Sequence, residues 1–188
     1  MAQRPCQYHR LINHTPGQSG GFCAMKTIEI GGKQIPLKYS LKSMMLMEET
    51  IGKIADITEL LKGEKRVRTL AKLIVIFAKS ADCDIELNWV LDTLPPARFM
   101  EAYIIIMDVY AEGMRTEDDI SGSKEVDLGL AEIERKKGKG LTYRLMTALA
   151  LRAGLTFSEA QEVSPGMIFD LFLHRRKYDD AQHGIRRE

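Results

Sequence analysis

Residues 67–81, VRTLAKLIVIFAKSA, decide the fold class. Val67, Leu70, Ala71, Ile74, Phe77, Ala78 and Ala81 recur at the i, i+3, i+4, i+7 spacing of an α-helix. Leu73, Val75 and Ile76 widen that stripe until the helix is apolar nearly all round. Such a helix has no side to give to water, so it belongs in the centre of a bundle.

Helical patterns flank it on both sides. Upstream, Ser40 is placed to cap a helix over residues 40–51, with Leu41, Met44, Met45 and Ile51 near one face and Gly52 as the stop. A short helix is expected over residues 54–62, ended by Gly63. Downstream, Asp84 is expected to cap a helix that carries Leu87, Val90, Leu91 and Leu94, and Pro95-Pro96 ends it. Proline suits the first turn of the next helix, which runs to about Arg115 with Phe99, Tyr103, Ile106, Met107, Tyr110 and Met114 at helical spacing.

Ahead of the helices, residues 25–39 read MKTIEIGGKQIPLKY. Ile28 and Ile30 alternate with polar residues, as do Ile35, Leu37 and Tyr39, and Gly31-Gly32 between them can supply the positive φ of a tight turn. This is a β-hairpin. Pro36 cannot donate to a ladder, so its strand is expected at an edge.

Residues 116–140, TEDDISGSKEVDLGLAEIERKKGKG, break the pattern, with five basic and seven acidic residues and no aromatic. A segment of this composition buries too little apolar surface to offset the entropy of ordering and reads as a flexible charged linker. Helical periodicity then resumes. Leu145, Ala148 and Leu149 share a face in residues 141–152, Thr156 and Glu159 have the spacing of a capping box, and Ser164-Pro165 starts a helix carrying Ile168, Leu171 and Phe172. The tail beyond Tyr178 is expected to fray. Residues 1–24 carry Pro, Gly and Ser breakers without periodicity and read as a disordered leader, and Met25 opens the regular sequence. The expected organisation is a mainly α (α+β) chain: leader 1–24, hairpin plus helical bundle 25–115, linker 116–140, and a C-terminal three-helix module 141–188.

Composition narrows the function. With 27 Lys+Arg against 26 Asp+Glu, the chain lacks the positive field that phosphate-dominated binding needs, so nucleic-acid and anionic-membrane partners are not expected. The three cysteines, Cys6, Cys23 and Cys83, do not make a disulfide framework, and the longest apolar run falls short of a membrane span, so a cytoplasmic protein is expected. Cys6, His9, His14 and Cys23 are metal-ligating types, but only Cys6 and His9 have finger spacing, so no metal is expected. No Ser-His-Asp set, phosphate loop or paired carboxylates can be placed, and Gly138-Lys139-Gly140 lacks the context of a phosphate loop. Neither catalysis nor a cofactor is expected. Residues 146–165 suggest a helix-turn-helix pair whose recognition helix would span 157–164. Yet no Lys or Arg lies between Arg152 and Arg175, while Glu159, Glu162 and Asp170 do, and such an element repels phosphates. A DNA-binding regulator is therefore the runner-up reading.

Two stretches resemble a known family. Residues 25–52, MKTIEIGGKQIPLKYSLKSMMLMEETIG, look like the start of the tail assembly chaperones of long-tailed bacteriophages and prophages. Residues 153–178, AGLTFSEAQEVSPGMIFDLFLHRRKY, look like the C-terminal module of their extended form. The resemblance implies a non-catalytic factor of virion assembly, made in the host cytoplasm and absent from the mature virion. It further implies that the first module exists alone as a short form, and that a programmed ribosomal frameshift appends the second, with residues 137–140 as the seam. The first module would self-associate or co-assemble with the short form and coat the tape measure protein. The second would engage the tape measure or recruit the tail tube protein. Phe157, Met167, Phe169 and Phe172 exceed what a small module can bury and are expected in part as partner surface. Met44 and Met45 are read either as core filling or as a self-association face.

Overall fold

The computed structural model describes residues 25–52, 57, 61, 65–116 and 142–182. The leader with Cys6, His9, His14 and Cys23, most of the expected helix over 54–62, and the charged stretch from residue 117 onward with its seam at 137–140 lie outside them.

The chain is mainly helical with an N-terminal antiparallel hairpin, as its patterning indicates. Strand β1 (Lys26–Ile30) pairs with β2 (Lys33–Leu37), with Ile28 opposite Ile35. Gly31 and Gly32 both take positive φ, +58° and +75°, the combination whose twist matches a two-residue hairpin. In a two-stranded sheet each strand is an edge, which accommodates Pro36. One face of the hairpin, with Ile28, Ile30, Ile35 and Leu37, is buried.

The helices follow in order: α1 (Leu41–Thr50), α2 (Arg66–Ser80), α3 (Leu87–Thr93), a 3₁₀ turn (Pro96–Arg98), α4 (Phe99–Met114), α5 (Tyr143–Arg152), α6 (Phe157–Glu162) and α7 (Pro165–Gln182). Helix α2 is the central one. Leu70, Ala71, Leu73, Ile74, Ile76, Phe77 and Ala78 are all buried, and α2 packs on α1, α3, α4 and β2. Its first turn projects beyond the core, so Val67 is 53% exposed although it begins the apolar stripe.

The corner between β2 and α1 is held by polar groups. The Lys38 amide donates to the Phe77 carbonyl at 3.1 Å, at the C-terminal end of α2. The Ser43 hydroxyl donates to the Lys38 carbonyl (3.0 Å), accepts the Ser40 amide (3.1 Å) and lies 2.7 Å from the Ser80 hydroxyl. Beside it Tyr39 is buried, its ring centroid 5.4 Å from that of Phe77 and 5.1 Å from that of Tyr110. Helix α4 comes so close here that a Cβ on Gly113 would sit 2.7 Å from Tyr39 Cδ1.

Two boundaries differ from expectation. Helix α3 starts at Leu87 behind an extended Glu86, because Asp84 stays outside the helix and lies 3.8 Å from Lys79. Helix α7 continues past Tyr178 to Gln182, supported by one-turn pairs: Arg175 with Asp179 at 3.4 Å, and Gln182 donating to Tyr178 at 2.7 Å.

The C-terminal helices do not bury their apolar faces only on one another. Met146, Leu149, Ala150, Ala160, Ile168 and Phe169 join the same buried cluster as the hairpin and α2. Helices α5 and α6 lie on α1, and α7 lies on α4. The surplus apolar surface read from this segment is in large part covered by residues of the first segment.

Candidate partner-binding surface

Helix α4 carries two apolar stripes. Ala102, Ile106, Val109 and Gly113 face the core and are buried. Met100, Ile104, Met107, Ala111 and Met114, spaced 4, 3, 4, 3, form a second run, of which Met100, Ile104 and Ala111 are exposed while Met107 and Met114 pack against the edge of the core. Met100 is 61% exposed and Ile104 55%, while Met107 and Met114 are half-buried. This 4-3 alternation is the spacing with which one helix presents a seam to another. Methionine suits a seam that must adapt, since its unbranched, polarizable side chain conforms to irregular surfaces.

An acidic flank runs along the seam, and it is paired within the molecule. Arg98 donates from Nε and Nη2 to the two oxygens of Glu101 at 2.8 and 2.6 Å, and from Nη1 to the Glu29 carbonyl at 2.8 Å. The hydrogen bonds from Arg98 hold the Glu101 carboxyl below its ordinary range. Lys26 lies 3.1 Å from Asp108 and 3.8 Å from Glu112. These ion pairs are exposed and add little stability. What they do is tie β1 and the 3₁₀ turn to α4. At the helix start, the Arg66 guanidinium lies 6.0 Å from the centre of the Phe99 ring.

The residues expected at a partner surface divide by burial. Phe157, at the first turn of α6, is 57% exposed, and Leu151 near the end of α5 is 49% exposed. Met167 and Phe172 are half-buried, with the Arg152 guanidinium 5.6 Å from the Phe172 ring centre. Phe169 and Met44, each 3% exposed, are core residues and offer no surface. For Met44 this is the core-filling alternative, and Phe169 is covered because α5 to α7 pack on α1 and α4. Met45 is half-buried. The sequence pattern puts Phe99, Tyr103, Ile106, Met107, Tyr110 and Met114 on one apolar face; the structure buries Ile106 with Ala102, Val109 and Gly113, and half-buries the other five against the core. The exposed run at Met100, Ile104 and Ala111 is not singled out by that pattern, because the expected stripe satisfies the helical spacing by itself.

The segment of the suggested helix-turn-helix pair holds α5 and α6, joined through Gly154 at φ +98°. Helix α6 has six residues, Glu159 caps its own N-terminus through Thr156, and Glu162 pairs with Lys38 at 2.7 Å. Hydrogen bonds from Thr156 lower the Glu159 carboxyl below its ordinary range. Among the described residues no group of three or more His, Cys, Asp or Glu is placed to hold a metal ion, and no helix is long and apolar enough to cross a membrane. Comparisons with protein-family models, with curated proteins and with solved structures give no match to this chain.

Proposed function

We propose that this chain is a non-catalytic chaperone of tail assembly in a long-tailed bacteriophage or prophage, one that holds the helical tape measure protein and helps recruit tail tube subunits. The observation that carries the reading is the outward face of α4. A rod-like client with apolar stripes needs an adaptable apolar seam at helical spacing, and the exposed Met100, Ile104 and Ala111, bordered by the half-buried Met107 and Met114, offer one. The sequence resemblance over residues 25–52 and 153–178 supplies the client's identity.

Co-expression with the tape measure protein of the same genome tests this. The wild type is expected to co-purify with it, and a Met100→Asp/Ile104→Asp double variant is expected to lose it while keeping its far-ultraviolet circular dichroism. A well-folded double variant that retains the client, or a wild type that never captures it, would overturn the reading. A DNA-binding regulator using the α5–α6 segment is the runner-up reading. A gel shift whose affinity falls steeply with salt would favour that alternative.

A further inference from the structure

Helices α2 and α4 lie side by side and point the same way. The Arg66 guanidinium of α2 stands over the Phe99 ring of α4 at one end, and towards the other end Phe77 and Tyr110 both flank Tyr39. The first turns of the two helices therefore share one end of the bundle. Three large apolar side chains are exposed there: Val67 at 53%, Met100 at 61% and Ile104 at 55%. The charges that border this patch are unequal. On the β1 side of α4, Glu101 is held by Arg98, and Asp108 and Glu112 by Lys26, so these carboxylates are answered within the molecule. At the start of α2, Lys65, Arg66 and Arg68 are all exposed, and among the described residues none of the three is in an ion pair. Their position works against the fold. Helix α2 has no acidic residue in its first turn and no side-chain cap hydrogen bond. The amides of that turn carry the positive end of the helix dipole, and cations beside them weaken the helix that fills the core. Folding has no use for three cations here, whereas a negatively charged partner does.

We propose that the patch of Val67, Met100 and Ile104 takes one amphipathic helix of the client, and that this helix carries Asp or Glu along the flank of its apolar stripe that meets Lys65, Arg66 and Arg68. The inference rests on the chaperone reading and adds to it the chemistry of the helix that is held. The apolar stripe supplies the contact area. The cations supply orientation, because a client helix turned the other way brings its acidic flank against Glu101 and Asp108 instead. An anionic lipid surface is the poorer occupant. It is negative on both sides of the stripe, so it presses like charge against Glu101 and Asp108 while it meets Lys65, Arg66 and Arg68.

Synthetic helical peptides of about 21 residues, or roughly six turns, test this by fluorescence anisotropy with the full-length chain. They share one Leu stripe and one Gln flank, and differ only in the other flank, which is Glu, Gln or Lys. The wild type is expected to bind the Glu peptide at least about tenfold more tightly than the Lys peptide at about 50 mM salt, and the ratio is expected to fall below about threefold at about 500 mM, where screening removes the charge term. Lys65→Glu/Arg68→Glu is expected to reverse the order of the peptides and at the same time to raise the urea midpoint, since acids suit a helix start. A purely structural role does not couple weaker binding of the Glu peptide to a more stable fold. Ile104→Asp is expected to weaken all three peptides by about tenfold or more. Equal affinities, a preference for the Lys peptide, an order that survives the charge reversal, or no binding of any peptide would overturn the proposal. So would co-sedimentation with phosphatidylserine vesicles that the charge reversal abolishes while the peptides remain undiscriminated, which places lipid on the patch. A wild type that captures the tape measure protein but shows no peptide preference sinks this inference and leaves the chaperone reading standing; a peptide preference without capture of that protein does the reverse.

Discussion

Tyr39 stands where β2 passes into α1 and touches both α2, through Phe77, and α4, through Tyr110. Burial pushes its phenol well above the ordinary value of 10.0, and the nearby Tyr110 and Glu48 push in the same direction. The unfolded chain therefore gives up this proton first. Hence the contribution of Tyr39 is fully present below about pH 10 and is lost as pH rises from there toward the raised folded value. Urea unfolding of the wild type is expected to show stability falling above pH 10 more steeply than that of Tyr39→Phe, and identical slopes would count against a buried, neutral phenol. The pattern of alternation extended the second strand to Tyr39, but β2 ends at Leu37 and Tyr39 is buried just beyond it. It did not reveal the close approach of Gly113, because which helix lies over a strand end is a property of the fold and not of local spacing.

Among the elements, α5 shows how a helix can be started from a distance. Thr142 accepts the Leu145 amide at 3.2 Å, while Glu48, 95 positions away, accepts the Tyr143 amide at 2.6 Å. Two of the amides left without partners at a helix start are thus served by different parts of the chain. Thr142→Ala is expected to cost about 1 kcal/mol, the usual worth of such a cap. Glu48→Ala is expected to cost about 1.5–3 kcal/mol, since a carboxylate is the stronger acceptor. Denaturant midpoints measure both, and a neutral Glu48→Ala would mean that α5 does not lean on α1. The caps legible in the sequence are the local ones: the Thr156–Glu159 reciprocal pair forms, and α7 begins at Pro165 behind Ser164. Local caps are fixed by spacing, and spacing is what a sequence displays. Asp84 and Ser40 are counterexamples: no helix starts at Asp84, and Ser40 precedes α1 without its buried hydroxyl making a cap hydrogen bond.

Across the whole molecule, one buried cluster joins the hairpin, α1 to α4 and α5 to α7 among the described residues. Periodicity announced each helix and its apolar face but could not say which surface that face would meet. That is why residues 141–188 read as a module of their own. The shared core has a thermodynamic consequence. If docking of α5 to α7 stabilises the rest of the chain, weakening that docking lowers the stability of elements it does not touch, as loss of any bound ligand would. The single tryptophan provides the reporter. Trp89 sits on α3, where the Lys33 ammonium lies 5.2 Å from its ring centre and Gly31 of the hairpin turn packs beside it. Phe169→Ala empties a core position and is expected to destabilise the protein by about 3–5 kcal/mol. The decisive measurement is Trp89 fluorescence during urea unfolding. Its midpoint is expected to move to lower denaturant in Phe169→Ala, although Phe169 lies on α7 and Trp89 on α3. If the Trp89 transition instead stays in place while circular dichroism loses only part of its helical signal at lower denaturant, the C-terminal helices add nothing to the stability of the first segment. The exposed Phe157 supplies the control: Phe157→Ser is expected to shift neither signal by more than about 0.5 kcal/mol.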